Sequence, residues 1–181
     1  MFINKSHINI PKTDINRKMN ISFRNLKIKI MIYSLSITLI DQISKFIILI
    51  TLGFNQSIRI IPNILNFTLV KNNGAAFSLL SNSTPFLTFI SIITSLILIG
   101  IIFISPPKSY WNCIGIAYLL GGTIGNGLDR ISKGYVLDFL ELVPIDFPIF
   151  NIADISINIA IVCFIIDSIS TRDKSRKFFN K

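Results

Sequence analysis

Four stretches of the chain are dominated by apolar residues, and the polar residues gather mostly between and beyond them. The stretches run over about 30–51, 86–105, 110–128 and 152–169. Each holds roughly 18–22 residues, the length of an α-helix that crosses ~30 Å of hydrocarbon. Only Pro106, Pro107, Lys108 and Ser109 separate the second from the third, which forces an antiparallel hairpin. The intervening segments, 52–85 and 129–151, have a different texture. Leu65–Val70 alternates like a strand over its first residues, and Gly134–Leu140 is rich in β-formers. The pattern predicts an integral membrane, all-α four-helix bundle with a small sheet lying on it, Asp138 standing at a strand end. The chain divides into a basic extension (1–29), a four-span domain (30–170) and a basic tail (171–181).

Composition supports this picture. Of 181 residues, 51% are hydrophobic and only 15% charged, against the roughly 25% charged of an ordinary soluble domain. The mean hydropathy is +0.63. A net charge of +9 raises the question of nucleic acid, but seven of the 18 basic residues precede residue 30 and five follow residue 171. Basic ends around an apolar middle are a topology signal and not a phosphate-binding stripe. With both termini in the cytosol, that side carries thirteen basic residues and the outer side four, namely Arg59, Lys71, Arg130 and Lys133. The positive-inside rule therefore directs both ends inward and segments 52–85 and 129–151 outward. The N-terminal 28 residues are polar and lack the apolar core of a cleavable signal peptide.

The polar inventory narrows the chemistry. The single His, His7, lies in the N-terminal extension, which disfavours His-based triads and zinc sites. Cys113 and Cys163 fall in apolar runs and read as small core side chains. Carboxylate chemistry rests on eight Asp and the lone Glu141. Asp138 and Asp154 stand out because they lie near the outer boundary of the membrane, where a carboxylate is costly and marks a functional site. Two acids within one loop's reach suggest a pair that shares a proton, an arrangement that splits peptides with water. Asn151 and Asp154 also fit the N-cap and N3 positions of the fourth helix, where the helix dipole favours an ionised acid. Asp138, between Leu137 and Phe139, holds a proton more easily.

Other polar positions have structural readings. Asp41 and Lys45 share a helix face at i, i+4 and read as an ion pair that locks the first helix into the bundle. Ser44 points about 100° away from Lys45, which disfavours a Ser/Lys dyad. Ala117, Gly121 and Gly125 form a ridge of small residues for close helix approach. Asn126 and Arg130 share a face and offer hydrogen bonds to a substrate backbone. Asn72-Asn73-Gly74 signals a tight turn. A different class of function, a small membrane transporter or assembly factor working through the Asp41–Lys45 pair, is the alternative reading.

Five motifs occur in order: D-Q-x-x-K at Asp41–Lys45, N-x-G-A-A-F-S at Asn72–Ser78, G-N-x-x-D-R at Gly125–Arg130, V-x-D-F at Val136–Phe139 and F-N-x-A-D at Phe150–Asp154. On these the chain resembles the bacterial lipoprotein signal peptidases, or signal peptidase II, over about residues 30–170. The resemblance implies an inner-membrane aspartyl endopeptidase with a four-helix fold and an outer β-cradle. Its substrates would be prolipoproteins whose Cys carries diacylglyceryl, cut just before that Cys. It implies catalytic Asp138 and Asp154, and substrate contacts by Asn72, Asn126, Arg130 and Asn151. Asp41, Lys45 and Asp129 would serve architecture. It also implies inhibition by globomycin-type peptides. No metal or cofactor is called for, membrane lipid is the surrounding partner, nucleic acid is not a partner, and a monomer is expected. Gly127 departs from the larger apolar residue usual there, Ile155 intervenes before Ser156, and the N-terminal extension is longer than common.

Overall fold

The computed structural model describes residues 12–74 and 83–179. Its elements are α1 (Lys12–Thr51), β1 (Ser57–Ile61), β2 (Leu65–Asn72), α2 (Thr84–Ile104), α3 (Tyr110–Lys133), β3 (Val136–Leu142) and α4 (Ile152–Phe179). His7 and the Ala75–Ser78 portion of the second motif lie outside the described residues.

Three helical stretches are long and apolar enough to cross a membrane: Arg24–Thr51, Thr84–Ile104 and Ile152–Thr171. The helices overrun the sequence boundaries at both ends of the chain. α1 starts at Lys12 and not near residue 30, and α4 continues to Phe179. Hydrocarbon thickness limits the apolar run, but a helix ends only where its backbone bonding is interrupted, so polar turns can extend it. The same holds for α3, which carries Asp129 and Arg130 inside the helix, where the apolar pattern had placed them in an outer segment. It stops at Gly134, whose φ of 80° gives the left-handed cap and whose N–H bonds to the Arg130 carbonyl at 3.1 Å.

α3 is not among these three stretches; it is the central helix, packed on α1, α2 and α4. Its buried face is made of Gly115, Ala117, Gly121, Gly122, Gly125 and Gly127 with Thr123, Asn126 and Asp129. The predicted ridge meets α1 directly. A Cβ on Gly121 would lie 2.8 Å from the Ser34 carbonyl oxygen, and one on Gly125 would lie 2.7 Å from Asp41 Oδ2. α1 answers with an inverted pattern. Its buried positions, Ile30, Ser34, Ile37, Thr38, Asp41, Lys45 and Ile48, follow a helical spacing and include its polar ones. Its exposed positions include Ile32, Leu35, Leu39, Ile43, Phe46 and Ile50. Polar residues inward and large apolar residues outward suit a helix whose outer solvent is lipid. Thr38 donates to the Gly121 carbonyl at 3.0 Å, tying the two backbones.

The strands form one antiparallel sheet in the order β1-β2-β3. β2 and β3 are far apart in sequence and are brought together by the α2–α3 hairpin between them. Leu69, Leu137, Phe139 and Leu140 cluster with Ile48 and Leu52, seating the sheet on the end of α1 beside the start of α4. Asp138 is the third residue of β3, paired with Val70. It therefore lies within the strand and not at its end, because pairing continues two residues further back, to Val136 opposite Asn72.

The close α1–α3 approach predicts that Gly121→Ala and Gly125→Ala each destabilise the protein by about 1–3 kcal/mol through overpacking. Gly100→Ala, where an added Cβ meets nothing within 4 Å, should leave the melting temperature in detergent unchanged or slightly raised.

Candidate active site

The start of α4 is built by a reciprocal cap. Asn151 Oδ1 accepts the Asp154 N–H at 2.9 Å, and Asp154 Oδ2 accepts the Asn151 N–H at 3.1 Å. This capping box satisfies two helix-end donors and fixes both side chains by local geometry. The other face of Asn151 then looks at the sheet. Its Nδ2 lies 2.6 Å from Asp138 Oδ1, 3.0 Å from Asn126 Oδ1 and 3.3 Å from the Leu137 carbonyl. Asn151 thus joins the two acids singled out in the sequence: its side chain donates to Asp138 and its backbone to Asp154.

Each remaining carboxylate oxygen also has a donor. Asn72 Nδ2 donates to Asp138 Oδ2 at 2.8 Å, while Asn72 Oδ1 accepts the Gly74 N–H at 2.9 Å. That Asx turn fixes which way the Asn72 amide points. Asn126 Nδ2 donates to Asp154 Oδ1 at 2.8 Å. Four elements, β2, α3, β3 and the α4 cap, therefore converge on two acids. Asp138 is only 1% exposed, whereas Asp154 is partly open to solvent. Burial first, and then the Asp154 carboxylate, push the Asp138 carboxyl up to about 6, against the hydrogen bonds from Asn72 and Asn151 that favour its ionised form.

Behind this layer lies the ion cluster. Lys45 Nζ is 2.8 Å from Asp41 Oδ2, 3.0 Å from Asp129 Oδ2 and 3.0 Å from Asn126 Oδ1. Asp41 Oδ1 accepts the Ala153 N–H at 2.9 Å, so α1 also holds the first turn of α4. Asp129 pairs with Lys133 at 2.6 Å and accepts the Leu137 N–H at 3.2 Å, linking α3 to β3. The Asp41–Lys45 pair is closed on all sides, with side chains at most 1% exposed. A transported ion or substrate would need an open path, so the transporter reading loses its footing. Among the described residues no group of three or more His, Cys, Asp or Glu could hold a metal ion.

Comparison with known proteins places the whole apolar domain in one family. A model of the family described as signal peptidase (SPase) II matches residues 33–170. The chain belongs to the signal peptidase II family. It is 44% identical over 141 residues to a lipoprotein signal peptidase of Parasynechococcus marenigrum (strain WH8102), covering 77% of this chain and 88% of that one. With a lipoprotein signal peptidase of Trichormus variabilis (strain ATCC 29413 / PCC 7937) it shares 42% identity over 130 residues, covering 72% and 82%. A solved structure titled "Bacterial membrane enzyme structure by the in meso method at 2.3 A resolution" superposes with a TM-score of 0.75 at 34% identity, covering 82% of this chain and 91% of that one.

Every site position named from the sequence takes part in one connected network in this signal peptidase II chain, with Arg130 at its margin. Arg130 reaches the Asn73-Gly74 turn and donates to the Gly74 carbonyl at 3.2 Å. Sequence reasoning assigned no role to Gln42, whose Nε2 contacts the Gly125 carbonyl at 3.0 Å and Asp41 Oδ2 at 3.2 Å. It also assigned none to Lys133 as a partner of Asp129. Gln42 stood inside a quoted motif, and Lys133 sits four residues after an acid on a helix; both signals were present. Cys113 and Cys163 are free thiols, as their apolar setting had suggested.

The raised Asp138 carboxyl has a stability consequence. Its folded value of about 6 exceeds the ordinary 3.8, so the native state is unpenalised below about pH 4 and loses stability as pH rises through about 6. Replacement by Asn removes the buried charge. The stability of Asp138→Asn relative to the wild type should therefore improve between about pH 4 and pH 8, by a ceiling of about 3 kcal/mol. Detergent melting curves across that range measure it.

Proposed function

We propose that this chain is the membrane endopeptidase that removes signal peptides from diacylglyceryl-modified prolipoproteins, with Asp138 and Asp154 as its catalytic pair. The observation that carries the reading is the joining of two carboxylates from different elements by Asn151, at the sheet-bearing end of an apolar helix bundle. The acids differ in setting, as acid–base division of labour requires. Asp154, capped by backbone N–H and partly open to solvent, serves as the base. Asp138, buried and raised toward neutrality, serves as the acid.

Asp154 takes a proton from a bound water while the water oxygen attacks the scissile carbonyl carbon. Asp138 gives its proton to the carbonyl oxygen, so the tetrahedral intermediate forms without a free oxyanion. In collapse the proton on Asp154 passes to the leaving nitrogen, the C–N bond breaks, and a hydroxyl proton returns to Asp138. The products are the signal peptide with a new carboxylate and the lipoprotein with the free amino group of its lipidated Cys. Asn72 and Asn151 hold Asp138, and Asn126 holds Asp154. Arg130, beside the Gly74 turn, supplies donors to the substrate backbone.

In this reading the protein lies in the bacterial inner membrane with both termini in the cytosol. α3 is the fourth crossing, and the sheet is an extracytoplasmic cradle for the substrate segment. The diacylglyceryl group stays in the lipid beside the bundle while the Cys reaches the acids. Globomycin-type peptides compete for the same place, and one chain suffices. The 1–29 extension and 171–181 tail are topological, set inward by their charge.

Reconstitution with a diacylglyceryl prolipoprotein tests the assignment. Cleavage before the Cys, blocked by globomycin, is expected. Asp138→Asn and Asp154→Asn should each reduce it to background while remaining inserted and folded. Full activity in either variant would remove the dyad.

A further inference from the structure

We propose that Lys45 is a positioning residue for the peptidase reaction: its ammonium group fixes the Asn126 amide so that the NH₂ end meets Asp154. The inference rests on the reading of Asp154 as catalytic. An ammonium group only donates, and Lys45 has three N–H bonds for three acceptors: Asp41 Oδ2 at 2.8 Å, Asp129 Oδ2 at 3.0 Å and Asn126 Oδ1 at 3.0 Å. The third is the neutral one, and it carries the consequence. Asn126 Oδ1 also accepts from Asn151 Nδ2 at 3.0 Å, while Asn126 Nδ2 donates to Asp154 Oδ1 at 2.8 Å.

Rotating that amide by half a turn would set its NH₂ against the Lys45 ammonium and the Asn151 NH₂. It would also set its oxygen against the Asp154 carboxylate. All three contacts would become repulsive, and Lys45 contributes the fully charged one. Lys45 is 1% exposed and Asn126 6%, so water does not readily replace the lost partners. Lys45 thereby reaches Asp154 through a single side chain and pins one of its two oxygens. The capping N–H of Asn151 pins the other.

The competing role for Lys45 is charge balance alone, since Asp41 and Asp129 are both fully buried. The two roles separate when Lys45 and Asp41 are neutralised together, leaving Asp129 paired with Lys133 and the net charge of the cluster unchanged. Lys45→Met/Asp41→Asn and Lys45→Gln/Asp41→Asn introduce side chains of similar size at position 45, and only the second keeps an N–H donor. The full chain is assayed on a diacylglyceryl prolipoprotein, with melting temperature and globomycin affinity as controls for folding. The Lys45→Met/Asp41→Asn variant should lose on the order of 100-fold in kcat, the cost of a misplaced reacting group, with KM little changed. The Lys45→Gln/Asp41→Asn variant should recover most of that loss.

Equal kcat in the two double variants, or wild-type kcat in the first, would overturn the proposal. Should the double variants not insert, Asn126→Asp leaves Lys45 and Asp41 in place and presents only oxygens to Asp154. There a fall in kcat with folding retained supports the proposal, and wild-type kcat overturns it. Asp154→Asn, run alongside, separates the two levels: cleavage surviving in that variant would sink the dyad itself.

Discussion

Lys45 lies on α1, 1% exposed, with Asp41 on its own helix and Asp129 on α3 as its ionic partners. A lone charge at that depth is intolerable, and so is either acid without the lysine. Once all three are present, their helices can be apposed in one register only, because a slip would leave a buried charge unpaired. The cost of removing one partner from such a buried pair is about 3–5 kcal/mol. The cluster also reaches beyond the helices that make it. Asp41 accepts the Ala153 N–H and Asp129 accepts the Leu137 N–H. The two segments bearing Asp154 and Asp138 are thus each fastened, one residue away from the acid, to the same ion cluster.

This arrangement answers a problem peculiar to a lipid-embedded fold. Apolar burial gives little preference for one helix packing over another when the outer solvent is also hydrocarbon. Close backbone approach and hydrogen bonding must supply the specificity. The glycine face of α3 permits the approach, and the inward Ser34, Thr38, Asp41 and Lys45 of α1 exploit it. Among the described residues every buried side-chain nitrogen and oxygen has a hydrogen-bond partner. A fully satisfied network can gather two acids around one asparagine, although burial and the Asp154 carboxylate oppose the ionisation of Asp138.

Much of this is legible in the sequence. The apolar runs marked the helices, the small-residue spacing of Ala117, Gly121 and Gly125 marked a contact ridge, and Asn151 with Asp154 marked a helix start. The helix ends were less legible. Hydropathy reports where lipid stops and not where backbone bonding stops, so α3 runs on past Asp129 and α1 begins well before residue 30. The placement of Asp138 at a strand end was also off, since pairing with β2 sets strand length and β2 is more than sixty residues distant.

The sequence by itself determined the membrane-spanning class and singled out the two acids, because these follow from composition and local periodicity. Only the tertiary structure decided that Asn151 serves both acids, that Asn126 stands between Lys45 and Asp154, and that Gly125 must lack a side chain to admit Asp41. Apart from the local Asn151–Asp154 cap, those relations join residues 13 to 84 positions apart. They depend on helix register and rotamer choice, which the packing of the whole bundle sets and no local pattern encodes.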